Sequence, residues 1–269
     1  MSTQTTSIRT TPVAGLSGAR VLVTGGTRGI GAATARRLAE AGAEVVVAAR
    51  TAPDSPGTGP CRFVAADIAI ADGVAALAGQ ALDLLGGLDV LVSNAGGQTH
   101  RPEGVLSFSD EDWQHDLDVN LLSAVRLDRA LLPAMIAQGR GGAIVHVGSN
   151  AARLPRPASL PYTAAKAALT AYSKGLANEV GRHGIRVNVV LPGLIRTEAL
   201  DTRIASLARQ ADAEPEAVLD RTVAAMDIPL GRAGTADEAA QLITFLVSPA
   251  ASYLTGSQFT VDGGLLPTV

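Results

Sequence analysis

The chain contains 269 residues, and its 22 lysines and arginines nearly balance 25 aspartates and glutamates, for a formal net charge of −3. Hydrophobic residues make up 47% of the sequence, which excludes an intrinsically disordered chain. The near-neutral charge predicts no nucleic-acid partner. The single cysteine, Cys61, excludes an internal disulfide and a cysteine-based metal cluster.

The N-terminal segment is rich in serine and threonine and has no apolar stretch. We expect residues 1–15 to form a flexible leader rather than a secretory signal. No run in the sequence approaches the ~18 apolar residues of a membrane span. We therefore expect residues 16–269 to form a single domain of a cytoplasmic protein without a membrane partner.

Short β-branched runs alternate along the chain with longer segments of helical periodicity. The predicted strands are residues 19–24, 44–49, 61–65, 88–93, 143–147, 186–190 and 258–261. The predicted helices are residues 32–41, 72–85, 110–138, 162–182 and 236–247. Continuous apolar strands separated by helices are typical of a parallel sheet covered on both faces. With right-handed crossovers, this pattern predicts an α/β fold, a Rossmann-type doubly wound sheet of about seven strands.

Two segments interrupt the alternation. Residues 51–60 (TAPDSPGTGP) are rich in proline and glycine, so we expect a loop rather than a helix between the second and third strands. Residues 195–229 show no strand pattern, and their parts 202–210 and 214–226 indicate short helices. We interpret this second segment as a lid over the substrate, with an oligomer contact as the alternative.

A glycine-rich turn, TGGTRGIG at residues 24–31, lies between the first predicted strand and the first predicted helix. Glycine permits a left-handed backbone and lets the main chain approach a pyrophosphate, while the free N–H groups of a helix N-terminus favour an anion. A glycine cluster by itself would indicate only a tight turn. Its position after the first strand of an α/β chain favours dinucleotide binding.

The end of the second predicted strand indicates which dinucleotide binds. Sites for NAD usually carry an acidic residue there, which binds the ribose 2′-hydroxyl. This chain has Ala49 followed by Arg50, and Arg28 in the turn is placed to reach the same region. Two guanidinium groups hold a 2′-phosphate through charge-assisted bonds, so we predict NADP(H) rather than NAD(H). The alternative is that both arginines are simply solvated.

Four polar residues are candidates for catalysis. Tyr162 and Lys166 are four residues apart in a predicted helix, which places both on one face. Ser149 follows the fifth predicted strand, at the sheet edge where α/β proteins bind ligands. Asn120 lies inside a predicted helix, where asparagine is a mediocre helix former without another role.

Together these motifs resemble the short, single-domain branch of the short-chain dehydrogenase/reductase family. The matching features are TGGTRGIG at 24–31, NAGG at 94–97, Asn120, Ser149, Tyr162-x-x-x-Lys166 and Pro192-Gly193. Each motif is weakly specific alone, but all occur in order over residues 16–264.

The resemblance implies a role for each of the four candidates. Tyr162 would be the general acid for carbonyl reduction and the base for alcohol oxidation. Lys166 would lower the pKa of the Tyr162 phenol from its usual ~10 and bind the nicotinamide ribose. Ser149 would hydrogen-bond the substrate oxygen. Asn120 would hold a water that links Lys166 to solvent.

The resemblance also implies the cofactor contacts. The residues expected around the pyrophosphate and 2′-phosphate are Gly25, Thr27, Arg28, Gly29, Ile30, Gly31 and Arg50. Those expected around the adenosine are Asp67, Ile68, Asn94, Ala95 and Gly96. Those expected around the nicotinamide, besides Tyr162 and Lys166, are Pro192, Gly193, Ile195 and Thr197. For Asp67 the alternative is a solvated turn residue, and for Asn94 it is a purely structural hydrogen bond.

We therefore predict an NADP(H)-dependent oxidoreductase that interconverts a carbonyl and a secondary alcohol, acting as a reductase. The alternatives are an NAD-dependent alcohol dehydrogenase of the same family and a non-catalytic dinucleotide-binding scaffold. An enoyl reductase is disfavoured because similar proteins of that type space tyrosine and lysine more widely. We expect residues 97–103, residues 151–161 and the lid to shape a pocket for a small-molecule substrate, and a β-ketoacyl chain, a cyclic ketone and a sugar are the alternatives.

Two further expectations concern metals and assembly. The four histidines are scattered without metal-ligand spacing, so we predict no metal site. Family resemblance implies a homotetramer, with one interface formed by helices 110–138 and 162–182 and another by residues 257–269.

Overall fold

A computed structural model describes residues 14–52 and 60–267. Its strands are β1 (Arg20–Thr24), β2 (Glu44–Ala49), β3 (Arg62–Ala65), β4 (Val90–Ser93), β5 (Gly142–Val147), β6 (Ile185–Pro192), β7 (Ile195–Arg196), β8 (Gly234–Thr235) and β9 (Gln258–Val261). Its α-helices are α1 (Gly29–Glu40), α2 (Ala71–Leu85), α3 (Asp110–Leu117), α4 (Ser123–Ala137), α5 (Leu160–Val180), α6 (Glu198–Ala211), α7 (Pro215–Ala225) and α8 (Ala236–Val247).

Seven of the strands form one parallel sheet in the order β3-β2-β1-β4-β5-β6-β9. The predicted Rossmann-type doubly wound sheet is thus confirmed. The strand order reverses between β1 and β4, so the loops that follow these two strands diverge and leave a crevice at their carboxyl ends. The residues predicted to bind a ligand follow those strand ends.

The central strands are mainly apolar because both faces of the sheet are covered. In β1, Leu22 belongs to a core with residues of α2, α4 and α5, while Val21 and Val23 belong to a second core with residues of α1 and α8. All three side chains are 0% exposed. Alternate side chains of one strand therefore enter different cores. A polar side chain on either face would be buried, which lowers stability unless the side chain is hydrogen-bonded.

The predicted helix over residues 110–138 is divided. A π-helical turn, Asp118–Leu122, separates α3 from α4, and the Ser123 N–H bonds to the Asp118 carbonyl five residues back. Asn120, 2% exposed, lies inside this turn. Such turns insert one extra residue into a helix and are frequent at functional sites. The predicted helix is therefore confirmed over residues 110–137, and the π-turn inside it was not expected.

The segment 195–229 contains α6, which encloses the predicted helix 202–210, and α7, which lies within the predicted helix 214–226. The expectation that it holds no strand is wrong, because β7 pairs in parallel with β8. The two helices pack on each other in a third core, which includes Ile204, Val218 and Leu219 and is separate from the two sheet cores. This segment is thus attached to the sheet domain as a self-packed unit.

Some expectations concern residues that the structure does not describe, and others concern membrane-spanning helices and metal sites. Residues 1–13 of the expected leader, 53–59 of the expected loop and 268–269 of the expected interface are not among the described residues. Within the described ranges, no helix is long and apolar enough to cross a bilayer. In those same ranges, no cluster of three or more histidine, cysteine or acidic side chains is arranged to hold a metal.

Candidate active site

Within the glycine-rich turn, the backbone at Gly31 packs tightly against the backbone at Gly25. Gly25 and Gly29 have φ of 64° and 55°, in the left-handed region that favours glycine. A Cβ atom at Gly31 would lie 2.1 Å from the Gly25 carbonyl oxygen, so only glycine fits this position without a shift. The first turn of α1 therefore lies directly against the end of β1.

Asn94 ties this turn to the loop after β4. Its Nδ2 donates to the Thr24 carbonyl at 3.0 Å and to the Gly25 carbonyl at 3.3 Å. The buried Thr24 Oγ1 accepts from the N–H groups of Asn94 and Ala95 at 3.0 and 3.1 Å. The structural role left open for Asn94 is therefore present, and its side chain also lines the cavity beside the turn.

Gly31→Ala is expected to destabilise the protein by roughly 1–3 kcal/mol, because a methyl group in this packed turn must displace backbone. Urea unfolding followed by circular dichroism would measure the change. Gly79→Ala in α2 is the matched control, since nothing lies within 4 Å of the added atom and the change should stabilise by about 0.5–1 kcal/mol. Equal behaviour of the two variants would contradict the account of the turn.

A cavity of about 330 Å³ opens at the carboxyl ends of β4, β5 and β6. The predicted site residues that line it are Ile30, Asn94, Gly96, Asn120, Ser149, Tyr162, Lys166, Pro192, Gly193, Ile195 and Thr197. Residues from distant parts of the chain therefore meet here, and all four catalytic candidates are among them.

Helix α5 carries the tyrosine and the lysine. Lys166 is 4% exposed, and its Nζ lies 5.8 Å from the centre of the Tyr162 ring. The same Nζ donates to the Val147 carbonyl at 2.8 Å, which ties the helix to the end of β5. Ser149 lies two residues beyond that carbonyl, and its Oγ accepts from the Ala151 N–H at 3.1 Å.

The direction of the Tyr162 pKa shift corrects the sequence-based expectation. Burial raises the pKa of the phenol above 10.0, a hydrogen bond with Ser149 opposes the rise, and the negative charge of Asp116 adds to it. The expected net lowering of the Tyr162 pKa is wrong in this structure, because burial of the ring outweighs the groups that favour the phenolate. Burial lowers the pKa of Lys166 itself to about 8, so the ammonium form predominates at neutral pH.

Asn120 uses its side chain within the protein. Its Nδ2 donates to the carbonyls of Gly97 and Asp116 at 2.7 and 2.9 Å, and its Oδ1 accepts from the Gly97 N–H at 3.2 Å. The side chain thus joins the π-turn to the loop after β4. Its expected role in holding a water stays a prediction.

Comparison with known proteins shows the family to which this chain belongs. A family model described as enoyl-(acyl carrier protein) reductase matches residues 25–266. The short-chain reductase protein NovJ of Streptomyces niveus is 37% identical over 263 residues, which cover 95% of this chain and 97% of that protein. The chain belongs to the short-chain dehydrogenase/reductase family.

Other members of the short-chain dehydrogenase/reductase family are similar over nearly their whole length. Gluconate 5-dehydrogenase of Gluconobacter oxydans is 36% identical, covering 93% of this chain and 95% of that protein. The crystal structure of L-sorbose reductase from Gluconobacter frateurii, complexed with NADPH and L-sorbose, has a TM-score of 0.89 and 35% identity. That match covers 95% of this chain and 99% of the reductase. The family thus includes both reductases and dehydrogenases among the relatives of this chain.

The remaining residues that family resemblance implies do not line the cavity. They are Gly25, Thr27, Arg28, Gly29, Gly31, Arg50, Asp67, Ile68 and Ala95. Arg28, Arg50 and Asp67 are exposed. The Asp67 Oδ1 accepts from the Ala69 N–H at 3.0 Å, which is the turn role given as its alternative.

Five residues that the motifs did not mark as site residues also belong to this region. Gly97, Gln98, Val147 and Gly148 line the cavity, and the Glu198 Oε2 accepts from the Gly29 N–H at 2.9 Å. Val147 and Gly148 end a predicted strand beside Ser149, so strand position was a usable signal. Gln98 directly follows the NAGG motif and lies in the segment 97–103 that was expected to shape the pocket. Glu198 depends on a long-range contact that no motif in the sequence indicates.

Proposed function

We propose that this protein is an NADP(H)-dependent oxidoreductase that interconverts a carbonyl and a secondary alcohol and acts as a reductase. The observation that carries the proposal is the meeting of Ser149, Tyr162 and Lys166 in one cavity that reaches the glycine-rich turn. Family membership supports an oxidoreductase acting on alcohol or carbonyl groups. The choice of NADP(H) is our inference.

The turn fits a dinucleotide by its shape and its donors. The glycines let the end of β1 and the first turn of α1 pack closely, and α1 begins at Gly29, so its first backbone N–H groups lie at this turn. Gly29, Ile30 and Gly31 would hold the pyrophosphate. Thr197 and Lys166 would hold the nicotinamide half, and the bound dinucleotide would supply or accept the hydride.

Tyr162 would give the proton that completes carbonyl reduction. Its raised pKa keeps the phenol protonated at neutral pH, which is the form an acid catalyst needs. Ser149 would donate to the same carbonyl oxygen and stabilise the negative charge that develops on it. Lys166 would place positive charge beneath the ring, where a developing phenolate is stabilised.

Glu198 occupies part of the proposed pyrophosphate site, because its carboxylate bonds the Gly29 N–H. A carboxylate at this helix N-terminus competes with phosphate for the same donor. We expect Glu198→Gln to tighten NADPH binding about two- to fivefold, the usual range for one charge at a helix N-terminus. Isothermal titration calorimetry would measure the dissociation constant.

Asp201→Asn is the control for this change. Asp201 lies in the same first turn of α6, and its carboxylate pairs with Arg196 at 3.1 Å instead of with the α1 turn. NADPH affinity should therefore stay at the wild-type value. An unchanged or weaker affinity in Glu198→Gln would show that the two anions do not compete.

A panel of ketones and alcohols, followed by NADPH and NADH absorbance, tests the proposed function. We expect NADPH oxidation with ketones and a clear preference over NADH. A strong preference for NADH would favour the NAD-dependent dehydrogenase. Turnover of a 2-enoyl thioester but no ketone would favour enoyl reduction, and dinucleotide binding with no turnover at all would favour the non-catalytic scaffold.

We further propose a homotetramer located in the cytoplasm, with residues 110–138 and 162–182 forming one interface and the C-terminal residues 257–269 contributing to another. The segment 195–229 would act as the substrate lid. Light scattering coupled to gel filtration should give four times the chain mass of 27.3 kDa. A mass equal to that of one chain would contradict the assembly.

A further inference from the structure

Gln98 places an amide on the wall of the cavity that contains Ser149 and Tyr162. We propose that Gln98 is a specificity-determining residue that selects carbonyl substrates with a hydroxyl group next to the carbonyl. This inference rests on the proposed function and names its substrate class: hydroxyketones, which include ketose sugars.

The backbone on both sides of Gln98 is held in place. Gly97 exchanges two hydrogen bonds with the Asn120 side chain, at 2.7 and 3.2 Å. Asp116, which is 0% exposed, accepts from the Thr99 N–H at 3.2 Å and from the Thr99 Oγ1 at 3.0 Å. Because these anchors are adjacent to Gln98 in sequence, its side chain starts from a fixed point at the cavity wall.

The side chain of Gln98 is also held at one end. Its Nε2 donates to the Ser159 Oγ at 2.5 Å, and the same oxygen lies 3.3 Å from the His100 Nδ1. Ser159 is 4% exposed and directly precedes α5, the helix that carries Tyr162. The amide is therefore tied by a short hydrogen bond to a buried residue that directly precedes the helix of Tyr162.

The other end of the amide is left for a ligand. Among the described residues, the Gln98 Oε1 meets no hydrogen-bond donor. A substrate that enters the cavity displaces water from the Gln98 Oε1, and an apolar substrate would leave this oxygen without a hydrogen bond and bind more weakly. A hydroxyl group on the substrate would donate a hydrogen bond to the oxygen in place of water. Sites built to bond a hydroxyl discriminate strongly against analogues that lack it.

The carbonyl and the hydroxyl of the substrate would meet the wall of one cavity. Ser149 and Tyr162 are the proposed partners of the carbonyl oxygen, and they share the cavity of about 330 Å³ with Gln98. A small ketone with a hydroxyl group on the adjacent carbon presents both polar groups together, so it is the simplest probe of a hydroxyl contact at Gln98.

The test compares hydroxyacetone with butanone, a ketone of similar size without the hydroxyl. We expect the wild-type kcat/KM to be at least about tenfold higher for hydroxyacetone, which corresponds to one neutral hydrogen bond. In Gln98→Leu this ratio should fall to near one, through loss of hydroxyacetone turnover, while kcat/KM for butanone changes less than about threefold. Gln114→Leu is the control, because Gln114 is exposed on α3 and bonds Asp118 away from the cavity.

The outcomes separate this inference from the proposed function. If wild type reduces neither ketone, nor any other carbonyl of the panel, the proposed function fails and this inference fails with it. If wild type reduces both ketones equally well, or if Gln98→Leu keeps the preference for hydroxyacetone, the function stands and the role of Gln98 is overturned. Circular dichroism and NADPH affinity at wild-type values would show that Gln98→Leu folds and binds.

Discussion

Tyr162→Phe is expected to lower kcat for ketone reduction by about 100- to 10,000-fold, the usual contribution of a positioned acid catalyst. The change removes one oxygen from a partly buried ring and leaves the ring's packing intact. The substrate oxygen then loses its proton donor, while Ser149 and Lys166 stay in the cavity. Steady-state NADPH oxidation at saturating ketone would measure the loss.

Two measurements make this prediction specific to the phenol. NADPH affinity of Tyr162→Phe should stay within about threefold of wild type, since one lost hydrogen bond at most is involved. Tyr172→Phe on the same helix is the matched control, because the Tyr172 hydroxyl donates to the buried Asp128 at 2.9 Å. That variant should lose stability but keep its kcat. Wild-type turnover by Tyr162→Phe would remove Tyr162 from the chemistry.

Arg50→Asp is expected to lower kcat/KM for NADPH by about 10- to 100-fold, the value of one charge-assisted hydrogen bond. Arg50 follows the last residue of β2 and is exposed beside the glycine-rich turn, where we propose that its guanidinium binds the 2′-phosphate. The aspartate would repel that phosphate. It would also offer an acceptor to a ribose 2′-hydroxyl, so NADH use should hold or improve.

Arg62→Asp is the control for this charge reversal. Arg62 begins β3 and therefore lies at the opposite edge of the parallel sheet, where it pairs with Glu44 at 3.0 Å. Its reversal should leave the ratio of NADPH to NADH turnover unchanged. If Arg50→Asp also leaves that ratio unchanged, Arg50 does not bind the 2′-phosphate. Arg28 would then be the next candidate to replace.

The sheet was predictable from sequence because its two covered faces leave a strong local signal. Val21, Leu22 and Val23 are all buried although they point into different cores, and this produces the unbroken apolar run that identifies a strand. The glycine-rich turn was predictable for a similar reason. At Gly31 the close approach of the Gly25 carbonyl excludes every side chain, and that restriction is visible in the sequence.

Features that arise from contacts distant in sequence were not predictable. The π-turn around Asn120 depends on the bonds of that side chain to Gly97, and the neighbouring residues alone are compatible with a continuous helix. The two-residue strand β7 is too short to have a pattern of its own. The pKa of Tyr162 is raised because folding buries the ring. This burial cannot be predicted from the sequence spacing of Tyr162 and Lys166.

The central claim is that Tyr162 and its neighbours serve a hydride transfer from NADPH to a carbonyl carbon. Incubation of the protein with a ketone and NADPH deuterated at nicotinamide C4, followed by mass spectrometry of the alcohol, tests it most directly. We predict one deuterium at the new carbinol carbon when the transferred face carries the label, and none when the label is on the other face. An alcohol that carries no deuterium from either labelled form, or no alcohol at all, would contradict the claim.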